Sequence, residues 1–373
     1  MFWVFLFFFS IYFILVILFS IIWITMPSYK LLKNTHTNLT VIVVFRNEAL
    51  NLPYILKDLD KQTLDKTLWE VIFIDDFSED DSTKTIRKFL ENSFIRANIL
   101  TNNVFQEIIS PKKRGISQAI KQAKGELIIC TDADCRLPST WLQGIASFYE
   151  QTDAYFISSS VKFLPTQSIF QKMQALEFSS LIGSGAGCIG LQAPTMCNGA
   201  NIAYKKTIFE ELDGFKGSEN IASGDDEFLM HKFAKVYPQK VKFNKSNNVT
   251  VSTTPHYNWK SFFEQRKRWA SKWEHYQNWA PKVLALFIFL INLLSVFLYF
   301  SPFLISNNII WVLIGLKFSI EFVFLAWILS SLKQIWLLCW IPLLFVVYPF
   351  YVLVFALFSR KKNYIWKGRT HFI

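Results

Sequence analysis

The chain opens with "MFWVFLFFFSIYFILVILFSIIWI", 24 residues without a single charge. This exceeds the roughly 20 apolar residues that carry a helix across a bilayer, and no other feature limits the fold so strongly. A cleaved signal peptide would want a basic start and a small-residue cleavage site, and neither stands here. Residues 1–26 are therefore read as a membrane anchor. Three more apolar runs, 283–300, 309–330 and 335–358, close the chain. At 52% hydrophobic content with 38 Phe, the chain is too apolar for an ordinary soluble protein.

Between these runs, residues 27–258 read as one large cytosolic α/β domain and 259–282 as an amphipathic interfacial segment. Lys30 and Lys33 follow the first span, and Arg266, Lys267, Arg268, Lys272 and Lys282 precede the second. By the positive-inside rule both ends of the domain face the cytoplasm. Three full spans over 283–358 would put the basic tail 359–373 outside, against the same rule. The tail is expected inside, with 335–358, interrupted by Pro342 and Pro349, re-entrant or interfacial. The formal charge of +11 is assigned to anionic headgroups; no nucleic-acid-binding motif accompanies it. The five cysteines show no CxxC pair, which fits a reduced cytosolic domain. Heavy Phe, Lys, Asn and Ile use suits an AT-rich bacterial genome, and hence the inner (cytoplasmic) membrane of a bacterium.

Within the domain, strand and helix patterns alternate. "LTVIVVF" (39–45), "WEVIFID" (69–75), "ANILTN" and "GELIICTD" (125–132) read as buried strands, each followed by a helical pattern. This implies a mostly parallel, Rossmann-like sheet covered by helices, whose ligands bind at the carboxyl ends of strands. Acidic residues stand at two such ends, Asp75 and Asp76 after the second strand and Asp132 and Asp134 after the fourth. One such Asp can simply start a turn. Two carboxylates spaced Asp-x-Asp after a buried strand can also hold a hard divalent cation, Mg²⁺ or Mn²⁺, together with substrate phosphates. Asp225 and Asp226 open a further helical pattern, and the small-residue stretch 180–204 reads as a flexible loop beside an acceptor pocket, with Asn198, Gly199 and Asn201 nearest.

"VIVVFRNEALNL", "VIFIDDFSEDDS", "KGELIICTDADCRLPSTWL", "CNGANIAYKKTIFEELDGF", "SGDDEFL" and "QRKRW" occur in the order and approximate spacing of the family 2 glycosyltransferases, the inverting GT-A enzymes. The resemblance spans roughly 38–270 and extends to ceramide glucosyltransferases and bacterial polysaccharide synthases. It implies that Arg46, Asn47 and Glu48 line a nucleotide pocket and that Asp75 or Asp76 reads a uracil ring. It implies further that Asp132 and Asp134 form a DxD metal motif, that Asp226 is the catalytic base with Asp225 beside it, and that Gln265, Arg268 and Trp269 form QxxRW. Ile116 stands where many relatives carry Lys, so the base that meets the diphosphate is open among Lys112, Lys113 and Arg114. The expected donor is a UDP-sugar. About four spans are few for a closed export pore, so a lipid or lipid-linked acceptor leads over a processive polysaccharide synthase. A non-catalytic binding or scaffold homologue would have lost acidic motifs, and a transporter reading rests only on Lys317 and Glu321 inside one span.

Overall fold

Helix α1 (Phe2–Thr25) is followed by four strand–helix units. These are β1 (Leu39–Phe45) with α2 (Leu52–Asp60), β2 (Trp69–Asp75) with α3 (Ser82–Leu90), β3 (Ala97–Thr101) with α4 (Pro111–Gln122), and β4 (Leu127–Asp132) with α5 (Trp141–Thr152). Then come β5 (Phe156–Ser159), β6 (Val161–Phe163), α6 (Ile169–Gly190), β7 (Ile202–Lys205), α7 (Lys206–Glu211), α8 (Glu227–Val236), β8 (Val241–Asn244) and β9 (Val251–Thr253). The chain ends with α9 (Trp259–Ala270), α10 (Trp279–Phe300), α11 (Asn308–Ser331), α12 (Ile341–Phe358) and the strands β10 (Asn363–Trp366) and β11 (Arg369–Phe372). This computed structural model describes residues 2–102, 110–303, 308–358, 363–366 and 369–372; the rest of the expected basic tail lies outside the described residues.

Seven strands form one sheet in the order β3-β2-β1-β4-β7-β5-β8, parallel except for β7. All of β1 but Val44 is buried, as a strand covered on both faces requires. The register aligns Phe45 with Asp75 and Val44 with Asp132. Both acidic strand ends therefore flank the Arg46 loop, at the carboxyl edge where such sheets bind ligands.

The small-residue stretch is not the flexible loop that its composition predicts. Through Gly190 it is helix, and only 191–201 remain irregular. The helix starts with a reciprocal capping box: Ser168 Oγ accepts from Gln171 N at 3.2 Å, and Gln171 Oε1 accepts from Ser168 N. Its glycines serve close approach between helices. A Cβ on Gly183 would lie 2.0 Å from Ile328 of α11, and one on Gly187 would lie 2.4 Å from Phe19 of α1.

Among the described residues four helices are long and apolar enough to cross a membrane: Trp3–Thr25, Trp279–Phe300, Asn308–Ser331 and Ile335–Ala356. α1 and α11 run parallel, joined by Trp23 Nε1 to Ser331 Oγ at one level and Tyr12 O–H to Glu321 Oε1 at another. Two domain lysines satisfy carbonyls at their ends: Lys245 Nζ donates to Trp23 O at 2.6 Å and Lys162 Nζ to Leu332 O at 3.0 Å. Three bases expected on headgroups are instead buried. Arg266 pairs with Glu177 at 2.5 Å, Lys272 with Glu227 at 2.8 Å, and Lys267 with Glu264 at 3.7 Å. Except for Glu264, these partners are remote in sequence, so local composition does not reveal them.

Candidate active site

One cavity of about 1720 Å³ opens at the carboxyl edge of the sheet and continues down between α1, α6, α10, α11 and α12. Arg46, Glu48, Asp76, Asp132, Asp134, Asn198, Gly199, Asp225, Asp226, Gln265, Arg268 and Trp269 all line it. Asn47, Asp75, Arg114 and Asn201 do not.

The loop after β1 is fixed by the loop after β2. Arg46 donates through Nη1 to the carbonyls of Asp76 and Phe77, at 2.8 and 2.7 Å. Asn47, at φ 52, accepts from Glu79 N through its side-chain oxygen and donates its own backbone N–H to Ser78 Oγ. Asp75 spends both oxygens locally, on Ser78 N and Thr83 Oγ1. Asp76 is therefore the acid of this pair that faces the cavity. Asn102 Nδ2 donates to it at 2.7 Å, and Arg114 lies behind, 4.0 Å from the same oxygen.

Among the three bases left open by the sequence, the one in the cavity is Lys112. Its ammonium bridges Asp132 Oδ1 at 2.8 Å and Asp225 Oδ2 at 3.1 Å. Lys113 is buried elsewhere and donates to the carbonyls of Ser218 and Ile221; burial lowers its pKa to about 8. Pro111 at the first turn of α4 sets the start of this helix, one residue before Lys112.

Asp226 caps α8. Its Oδ1 accepts from Glu227 N at 2.8 Å and its Oδ2 from Gly199 N at 2.7 Å. Burial raises its carboxyl above the usual aspartate range; Lys272 opposes this, while Asp225 and Glu227 reinforce it. Burial acts on Asp225 in the same sense, but the Lys112 ammonium, helped by Lys113, holds it below that range. Neighbouring carboxyls pushed apart in this way are suited to different roles. Glu227 also accepts from Tyr276 O–H at 2.7 Å beside its ion pair with Lys272.

Asn201 was expected at the acceptor and is structural. Its Oδ1 accepts from Trp141 Nε1, and its amide donates to the carbonyls of Ser160 and Val249. Asn198 closes a turn by accepting from Ala200 N. On α9, Arg268 shares the cavity with Asp134 and stabilises its carboxylate, whereas Arg266 turns away and stacks 4.3 Å from the Trp269 ring.

Burial first, then Asp132, raises the Asp134 carboxyl to about 6, and both carboxylates line the cavity, Asp132 already paired with Lys112. Among the described residues no group of three His, Cys, Asp or Glu converges on one point. The pair fits a hard cation which takes one or two carboxylates and completes its shell with phosphate oxygens and water.

A model of glycosyl transferase family group 2 matches residues 127–358, and a model of glycosyl transferase family 2 matches residues 40–213. The chain belongs to the family 2 glycosyltransferases. This glycosyltransferase is 27% identical over 124 residues to the glycosyltransferase AglE of Haloferax volcanii, a match covering 33% of the chain and 39% of AglE. It is 23% identical over 194 residues to the poly(ribitol-phosphate) beta-N-acetylglucosaminyltransferase TarS of Staphylococcus aureus, covering 52% of the chain and 32% of TarS. The matched stretches thus span about a third of those relatives. In fold, the enzyme is similar to the mannosyltransferase PcManGT from Pyrobaculum calidifontis, solved with GDP-Man and Mn²⁺. The TM-score is 0.55 at 15% identity over 92% of this chain and 93% of that one. The mostly parallel sheet is GT-A-like in fold, carried among the described residues beside four apolar helices.

Proposed function

We propose that this nucleotide-sugar glycosyltransferase acts on a lipid or lipid-linked acceptor at the cytoplasmic face of a bacterial inner membrane, with a UDP-sugar as donor and inversion at the anomeric carbon. The observation that carries the reading is the single cavity that joins the carboxylates of the sheet edge to the apolar helices. An acceptor hydroxyl can reach Asp226 while its apolar body stays between the spans.

In this reading Asp76, Arg46 and Glu48 receive the nucleotide, and Asp132 and Asp134 hold Mg²⁺ or Mn²⁺. Bound there, the metal would supply positive charge against the leaving diphosphate. Asp226 takes the proton of the acceptor hydroxyl, whose oxygen attacks the anomeric carbon opposite the departing diphosphate. Gly199 N–H holds the base in place. Lys112 and Arg268 add positive charge beside the leaving group, and Gln265 and Trp269 position the acceptor.

The domain division 1–26, 27–258, 259–282 and 283–358 is kept, with 335–358 not crossing. Gln334 Nε2 donates to Phe163 O and Trp340 lies under Lys172, while Phe355 at the other end packs on Phe262 and Phe263 of α9. The segment that leads into α12 thus touches the catalytic domain, its far end touches the interfacial α9, and β10 returns beside α9. This supports a tail on the domain's side of the membrane.

The test is to give the purified full chain a panel of UDP- and GDP-sugars with total lipid extract, with and without EDTA, and to read products by mass spectrometry. A metal-dependent glycolipid formed from a UDP-sugar is expected. Transfer to soluble glycan and not to lipid would overturn the acceptor, and preference for a GDP-sugar would overturn the donor.

A further inference from the structure

The cavity does not end in hydrocarbon. At its deep end, Lys317 and Glu321 of α11 form an ion pair at 2.7 Å, and Tyr12 of α1 donates to the same carboxylate at 2.6 Å. Lys317, Glu321, Tyr12, Asn292 and Tyr348 all line the cavity that holds Asp132 and Asp226. With a rise of 1.5 Å per residue, Lys317 lies about 21 Å along α11 from Ser331, which is bonded to Trp23 at the catalytic-domain end of the helices. Charges at such a depth are costly unless they do something.

Helix pairing alone accounts for part of the cluster, since Tyr12 and Glu321 bridge α1 and α11. It does not account for the opening onto the cavity. Tyr12 and Lys317 both converge on Glu321 Oε1, which leaves Oε2 to accept, and the ammonium has three N–H groups. The cluster is neutral as a whole, so it is matched to an uncharged hydroxyl rather than to a phosphate or an amine. Such a hydroxyl can donate to Glu321 and accept from Lys317. Leu15, Phe19, Leu284, Phe324 and Leu325 give the cavity an apolar lining along α1, α10 and α11, while α6 and α12 contribute the polar Glu177, Ser180, Ser184 and Tyr351.

We infer that the acceptor is a lipid polar at both ends. Its accepting hydroxyl lies at Asp226, its apolar body lies against α1, α10 and α11, and a second hydroxyl is bound by Lys317, Glu321 and Tyr12. This rests on the lipid-acceptor reading above and adds to it a second recognition point with a fixed spacing. The site would select acceptors by length as well as by class.

The experiment uses the full chain in nanodiscs with the donor identified by the panel above. Straight-chain mono-alcohols and α,ω-diols of matched and increasing length serve as acceptors. At one window of chain length the diol should show a KM about ten-fold or more below that of the mono-alcohol, the scale of a hydrogen bond to a charged group. In Glu321→Gln and Lys317→Met that advantage should shrink towards unity, with thermal melting confirming the fold. Equal KM values for diol and mono-alcohol at every length in the unmodified enzyme overturn the second site and leave the lipid-acceptor reading standing. Mono-alcohols and diols that are both refused, while a soluble oligosaccharide is glycosylated, overturn the lipid-acceptor reading itself.

Discussion

The backbone N–H of Gly199 donates to Oδ2 of Asp226 at 2.7 Å, tying the loop before β7 to the residue that caps α8. The proposed base is thereby oriented by main chain. Asp226→Asn keeps its size but cannot take a proton, so turnover should fall by about 10²–10⁴-fold while donor affinity, measured by calorimetry, survives. Near-normal turnover in a folded variant would move the base to Asp225 or Glu227.

The acid limb of the pH–rate profile tests the same assignment. A base must be ionised, so activity is lost as pH falls through its pKa, and burial places that limb above the ordinary aspartate range. Asp225 pushes the Asp226 carboxyl up and Lys272 pulls it down. Asp225→Asn should therefore move the limb to lower pH and Lys272→Met to higher pH, read as kcat against pH. Shifts in one common direction would assign the limb to another group.

Lys112 and a metal compete for Asp132, because the ammonium already lies 2.8 Å from Oδ1. Lys112→Met should tighten Mn²⁺ binding in the absence of nucleotide and weaken binding of the nucleoside diphosphate, two effects of opposite sign in one calorimetric series. Mn²⁺ affinity should also decline as pH falls through about 6, where Asp134 takes up a proton. Asp134→Ala should remove that pH dependence together with most of the affinity.

Much of this was legible in the sequence because it is local. β1 and β2 lie on runs rich in apolar residues, their boundaries as read; Asp76 follows β2, Asp132 ends β4 and Asp226 opens α8. What escaped depends on partners far along the chain. Asn201 resembles a ligand until Trp141, Ser160 and Val249 are seen to occupy its amide. Arg266 and Lys272 resemble surface bases until Glu177 and Glu227 arrive from α6 and α8. The glycines of α6 signal a loop by composition, yet they serve contact with α1 and α11. Its S-x-x-Q start was the one local sign of a helix.

The Arg266–Glu177 pair yields the last prediction, which separates holding the site together from chemistry. Arg266 Nε donates to Tyr351 O–H at 3.0 Å, Tyr351 O–H donates to Glu177 Oε1 at 3.0 Å, and the guanidinium stacks on Trp269. One buried cluster thus joins α6, α9 and α12. Removing one partner strands a buried charge, so Arg266→Met or Glu177→Met should each cost about 3–5 kcal/mol, read as a fall in thermal midpoint in detergent. The double variant strands neither charge and should lose less than the sum of the two. Trp269 loses its cation in Arg266→Met but keeps its place in the helix, so acceptor KM should rise more than kcat falls. A double variant whose loss equals the sum would show that the two residues act independently.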